Sequence, residues 1–286
     1  MFKILVTVIK IFAWMLKRDK IRHKCLKLEK QGKSEEVDAI LTELVPLWAR
    51  YICETTGTKV VVKGLEKLPG DSAVVFIANH QGYMDIPVIY GYIPKFISFV
   101  SKKEIGAIPL IKDWMRFLHC TLMDRKSPRA SVKAIYDAAA NVKKGYSQVI
   151  FPEGTRSKGG IHREFKAGSF KLAFLSGAPI VPLTIEGSYK VFEEKKTVSK
   201  GNTVFITVHD PVMTAGLSRE QQAELPAKIE NVICRQLKPA EDALLGGSSL
   251  SEGGSQPSES GSSSEGGSQP SEGTSPSESG SSSEGR

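Results

Sequence analysis

The stretch AVVFIANHQGYMDIPVIY, residues 73–90, decides how this chain is read. Its first six residues carry no polar side chain and read as a strand buried on both faces. Asn-His-Gln-Gly then breaks the run, and a helix opens at Ile86 and Pro87 with Asp85 just before it. On a helix, His80 and Asp85 would point about 140° apart, so only a loop can bring them together. A carboxylate that fixes an imidazole's tautomer and stabilises its charged form makes a general base. The plainer alternative, Asp85 as a helix N-cap and His80 as a loop histidine, stays open on spacing alone.

Around this segment, apolar runs near residue 61 and at 73–78, 96–100, 148–151, 180–185 and 203–208 read as strands. Helical stretches lie between most of them, at 108–118, 128–143 and 166–176. The alternation predicts an α/β fold, a single mixed sheet covered by helices. Residues 58–245 are assigned to it as one domain. The tail, 246–286, repeats SEGGSQPSE at 251–259 and 264–272, has almost nothing apolar to bury, and is predicted to be disordered. It carries six Glu and one Arg against a chain net of +8, so residues 1–245 carry +13. Such charge suits nucleic acid, anionic lipid or a phosphorylated substrate alike. The four cysteines show no metal-type spacing and fit a reduced compartment.

Residues 1–57 read as N-terminal helices associated with a membrane. From Ile4 to Leu16 there are thirteen residues, roughly 20 Å of helix against the ~30 Å hydrocarbon core. Lys3, Lys10 and Lys17 recur on one stripe, with Thr7 and Trp14 near it, and a basic run extends to Lys30. This predicts a helix lying in the membrane interface, with Trp14 at headgroup level. A core helix and a secretory signal are the alternatives; no small-residue cleavage site follows Leu16. A second amphipathic helix is expected from an N-cap at Ser34, kinked at Pro46.

A second strand-end loop, FPEGTRS at 151–157, follows YSQVIF. Gly154 permits a tight turn with backbone N–H groups facing an anion, and Arg156 offers a fork suited to phosphate. Lys158, Arg163, Lys166 and Lys171 add positive charge. A solvated basic loop, with Glu153 pairing one of these bases, is the alternative. Two such loops belong beyond the carboxyl ends of a sheet and suggest transfer chemistry on a phosphate-bearing alcohol.

NHQGYMD, the arginine of MDR (Arg125), FPEGTRS with FKAG at 165–168, and IVPLTIEGS at 180–188 stand in the order and spacing of the glycerolipid acyltransferases. The chain resembles most closely the bacterial 1-acyl-sn-glycerol-3-phosphate acyltransferases, over roughly residues 60–215. Gly82 departs from the serine of many relatives. The resemblance implies that His80 takes the proton from the acceptor's sn-2 hydroxyl and that Asp85 orients it. It also implies that Glu153, Gly154, Thr155 and Arg156 hold the acceptor, with Arg156 and Arg125 at its phosphate, and that Pro182 and its neighbours shape the donor side. The expected donor is a co-substrate, acyl-CoA or acyl carrier protein, with direct transfer giving phosphatidic acid and no metal or other cofactor. Expected partners are a membrane lipid acceptor and the membrane surface, not nucleic acid; the expected location is the cytoplasmic face of a bacterial membrane, peripheral or monotopic. Glycerol-3-phosphate or another lysophospholipid is the alternative acceptor. Two other readings compete: a hydrolase whose nucleophile is Cys120, beside His119, or a serine, though no G-x-S-x-G elbow exists, and a non-catalytic basic lipid-binding module.

Overall fold

The computed structural model describes residues 2–159, 164–235 and 237; the tail from 246 and Arg163 lie outside them. Among the described residues seven strands form one sheet: β1 (Lys59–Lys63), β2 (Val75–Ala78), β3 (Ile97–Lys102), β4 (Thr121–Met123), β5 (Ser147–Ile150), β6 (Ile180–Glu186) and β7 (Thr203–Val208). Eight α-helices accompany them: α1 (Phe2–Leu16), α2 (Asp19–Lys30), α3 (Ser34–Thr56), α4 (Asp85–Tyr92), α5 (Ile111–Phe117), α6 (Pro128–Lys143), α7 (Lys171–Ser176) and α8 (Arg219–Cys234). The order across the sheet is β1-β7-β6-β2-β5-β3-β4. Among the strand pairs of the described residues only β6–β7 is antiparallel, so the sheet is mixed as expected.

Position in this order explains composition. β2 lies between β6 and β5 and is covered on both faces, which requires VFIA to be apolar throughout. One face packs Phe76, Ala78, Val149 and Phe151 against α3 and α4; the other packs Val75, Ile77 and Ile150 against α6, α7 and α8. Pro182 is buried in β6, one residue before the antiparallel ladder begins at Leu183↔Val208.

The N-terminal helices share the core with the sheet: Cys25, Leu28, Leu41, Ala49 and Ile52 belong to the same apolar cluster as Phe76. Lys33 takes the capping position of α3 without a side-chain bond, and Ser34 is already helical. The helix runs on through Pro46 to Thr56. Trp14 is half-buried, stacking on Tyr51 of α3 with centroids 6.0 Å apart, under the guanidinium of Arg18. Thr7, on the same stripe, is buried. α1 exposes apolar side chains, Phe2, Leu5, Ile9 and Leu16, beside the exposed Lys3 and Lys10. No helix among the described residues is long and apolar enough to cross a membrane.

Candidate active site

The site assembles where β2 ends. Asn79, the first residue past the strand, is buried and reaches the last turn of β6: its Nδ2 donates to Ile185 O and its Oδ1 accepts from Ile185 N, each at 2.8 Å. Gln81 Oε1 accepts from Gly187 N, also at 2.8 Å. These bonds hold the loop open enough for the next side chains to converge. His80 Nδ1 then lies 2.6 Å from Asp85 Oδ2. Against a carboxylate only a protonated Nδ1 can bond, so the neutral ring keeps its lone pair on Nε2. Among the described residues nothing bonds that nitrogen.

Asp85 is wholly buried and is no simple cap. Its Oδ2 also accepts from the backbone N–H of Gln81 (2.8 Å) and Gly82 (3.0 Å), and its Oδ1 accepts from Ser188 Oγ. The His80 ring stacks on Phe151, centroids 4.0 Å apart and planes within 13°. It is therefore fixed by a bond at one nitrogen and a ring face beneath.

The second loop is wired to the first. Glu153 is buried, and its Oε1 accepts the backbone N–H of His80 at 2.6 Å. Ser157 N donates to His80 O and Lys158 N to Gln81 O. Gly154 turns at φ +71°, which a side chain would resist, and Arg125 Nη1 donates to its carbonyl. Arg156 donates from Nη1 to Glu193 Oε1 at 2.7 Å and lies over the Tyr83 ring, 3.6 Å from its centroid. Thr155 is exposed on the loop. The structure thus brings His80, Asp85, Glu153, Gly154 and Arg156 together, with Arg125 bonded to the loop through the Gly154 carbonyl. Asn79, Gln81, Ser188 and Glu193 were missed by the sequence reading. The first two were in the quoted stretch, and their polarity at the end of a buried strand was the available signal.

An apolar cavity of about 260 Å³ opens beside the site, with Ile11 and Met15 of α1, Trp48 of α3, Ile86 of α4, Phe99 of β3 and Trp114 of α5 among its walls. Phe99 stacks on Phe151, so the cavity wall is one ring removed from His80. Cys120 pairs with Tyr90 Oη at 3.8 Å, and burial pushes its thiol above the ordinary range. The neighbouring His119 turns its Nε2 to Asp38 at 2.9 Å and stacks on Tyr146, so it does not serve the thiol as a base. Among the described residues, no three His, Cys, Asp or Glu side chains gather as a metal site would require.

A histidine–aspartate pair at the end of a strand in a mostly parallel sheet, faced by an arginine-bearing loop and flanked by an apolar cavity, defines an α/β protein with the layout of a glycerolipid acyltransferase. The chain belongs to the acyltransferase family: the family model described as Acyltransferase matches residues 59–186. It is 31% identical over 183 residues to the 1-acyl-sn-glycerol-3-phosphate acyltransferase of Borreliella burgdorferi, covering 64% of this chain and 73% of that protein. A chloroplastic 1-acyl-sn-glycerol-3-phosphate acyltransferase of Arabidopsis thaliana is 35% identical over 157 residues, 54% of this chain and 44% of the relative. The chain thus spans under half the length of that plant relative. The crystal structure of PlsC, the 1-acyl-sn-glycerophosphate acyltransferase of Thermotoga maritima, is similar to this fold with a TM-score of 0.67 and 26% identity, covering 87% of this chain and 98% of that one.

Proposed function

We propose that this chain transfers an acyl group from a thioester of coenzyme A or acyl carrier protein to the sn-2 hydroxyl of 1-acyl-sn-glycerol-3-phosphate. His80 Nε2 takes the hydroxyl proton, and the oxygen attacks the thioester carbonyl. The C–S bond then breaks, and the departing thiolate receives the proton from His80. Asp85 holds the ring's tautomer and offsets the imidazolium charge. A thioester is already activated, so positioning and proton removal suffice: a placed base contributes about 10² to 10⁴ in rate, and gathering two substrates about 7 to 11 kcal/mol. Neither a metal nor a covalent nucleophile has a part in this reading.

The observation that carries it is the 2.6 Å contact between His80 and Asp85, with Nε2 left open beside the arginine loop. Arg156, together with Arg125, meets the acceptor phosphate, and the apolar cavity takes an acyl chain. The outward apolar face of α1 rests in the membrane interface, where acceptor and product both reside; the cytoplasmic face of a bacterial membrane is the location this suits. The test is thiol release by purified protein given acyl-CoA or acyl carrier protein, against a panel of 1-acyl-sn-glycerol-3-phosphate, glycerol-3-phosphate and neutral lysophospholipids. Release that depends on the first acceptor supports the reading; release without any acceptor points to hydrolysis.

A further inference from the structure

We infer that Glu193, which lies outside every motif of the chain, is the positioning residue that aims Arg156 at the acceptor's phosphate. The inference rests on the reading above, in which Arg156 meets that phosphate. It deepens that reading by naming what holds the arginine.

Glu193 follows β6 and the short helical turn Ser188–Lys190, about a hundred residues from the base loop in sequence. Its side chain is only 5% exposed. A carboxylate this buried is rare without partners that need it. Here Oε1 accepts two bonds at once, from Arg156 Nη1 at 2.7 Å and from the backbone N–H of Tyr83 at 2.9 Å. The Tyr83 ring lies under the same guanidinium, and Phe192 meets that ring edge-on at 6.5 Å. Arg156 is thus held from two directions: the ring sets the plane of its fork, and the carboxylate sets its rotation within that plane. Among the described residues Nε and Nη2 bond nothing, which leaves an oriented edge of the kind that grips a phosphate in bidentate fashion.

The arrangement is held against a cost. Burial raises the Glu193 carboxyl above its ordinary range even though Tyr83 N–H and Arg156 pull the other way, and Asp85 adds to the rise. The second oxygen, Oε2, is buried with no partner among the described residues. It lies where a side chain at position 82 would begin: a Cβ on Gly82 would come within 2.7 Å of it. The departure at Gly82 thereby acquires a reason, since a larger residue there would press Glu193 off the arginine. One carboxylate therefore ties the loop bearing the base, through Tyr83, to the loop bearing the phosphate ligand.

The experiment measures steady-state acyl transfer from acyl-CoA to 1-acyl-sn-glycerol-3-phosphate for Glu193→Ala, Glu193→Asp and Glu193→Gln, with thermal unfolding of each. Losing a hydrogen bond to a charged group predicts a KM for the acceptor raised about tenfold in the Ala and Asp variants, with kcat and the KM for acyl-CoA within about threefold of the parent. Asp keeps the charge but falls one methylene short, so it tests reach even where Ala folds poorly. Gln keeps the accepting oxygen and returns the acceptor KM to within about threefold of the parent, or below it. In an Arg156→Ala background, Glu193→Ala adds less than about twofold, because the residue acts through the arginine. An unchanged acceptor KM in both Ala and Asp variants overturns the inference, as does a multiplicative loss in the Arg156→Ala background. Should Arg156→Ala itself leave the acceptor KM unchanged, the underlying reading of the site fails first.

Discussion

Replacing Asp85 with Asn separates the chemical from the structural work of this residue. The buried carboxylate accepts four hydrogen bonds: Oδ2 takes three, from His80 Nδ1, Gln81 N and Gly82 N, and Oδ1 takes one from Ser188 Oγ. An Asn with its oxygen in the Oδ2 place keeps those three. Its NH2 then faces the serine hydroxyl, which can turn to accept. The loop and the tautomer should survive at a cost of about 1 kcal/mol, or a fall in Tm of about 2 to 4 °C for a domain this size. What disappears is the charge opposite the imidazolium. If that charge supplies most of the base's advantage, kcat falls about 10² to 10⁴, equivalent to roughly 3 to 5 kcal/mol of barrier. Asp85→Ala differs in kind, because it strands two buried N–H groups at about 1 to 3 kcal/mol each, a large share of a typical 5 to 15 kcal/mol stability. Calorimetry with an acceptor-dependent thiol-release assay distinguishes the two. Near-parental turnover in Asp85→Asn would mean that the carboxylate's charge does not serve the base, and a Tm loss equal to that of Asp85→Ala would mean that Asn does not keep the loop's bonds.

Changing Leu5, Ile9 and Leu16 to Glu on the outward face of α1 should release the protein from anionic vesicles in flotation while leaving its Tm nearly unchanged; vesicle binding as before means another surface makes the contact. Because burial raises the Glu193 carboxyl in the folded state, its stabilising share is fully present below the ordinary carboxylate value of about 4.3 and is lost as pH rises through the raised folded value. Glu193→Gln cannot ionise, so its Tm relative to the parent should climb with pH across that window, and a difference flat from about pH 3 to about pH 8 contradicts this. Gly64→Ala should destabilise by more than about 1 kcal/mol in denaturant unfolding, since φ is +78° and the new Cβ would meet Val208 O at 2.3 Å; an unchanged midpoint would mean the turn relaxes freely.

The site's centre was legible because its chemistry is local. A buried strand, a polar break and Asp85 five residues after His80 confined the pair to one loop, and the structure closes that loop at 2.6 Å. Six of the seven strands stood out as apolar runs, whereas the three-residue β4 is too short for periodicity to mark. The final helix α8 was missed although Ser218 and Gln221 form a capping box, a signal present in the sequence. Partners contributed from afar were not readable at all: Ser188 and Glu193 lie about a hundred residues from the loop they hold, and only the packing of β6 beside β2 brings them there. On α1 the stripe is split for a related reason: Lys3, Lys10 and Lys17 stay exposed while Thr7 is buried. Amphipathicity reports two faces, but not which one a neighbouring helix will cover, and α3 covers the side bearing Thr7 and Trp14.

Acceptor-dependent thiol release by His80→Ala asks whether an imidazole at the end of β2 removes the acceptor's proton. Turnover should fall by at least about 10²-fold with acceptor binding and Tm preserved. Transfer at close to the parental rate would place the chemistry on another group.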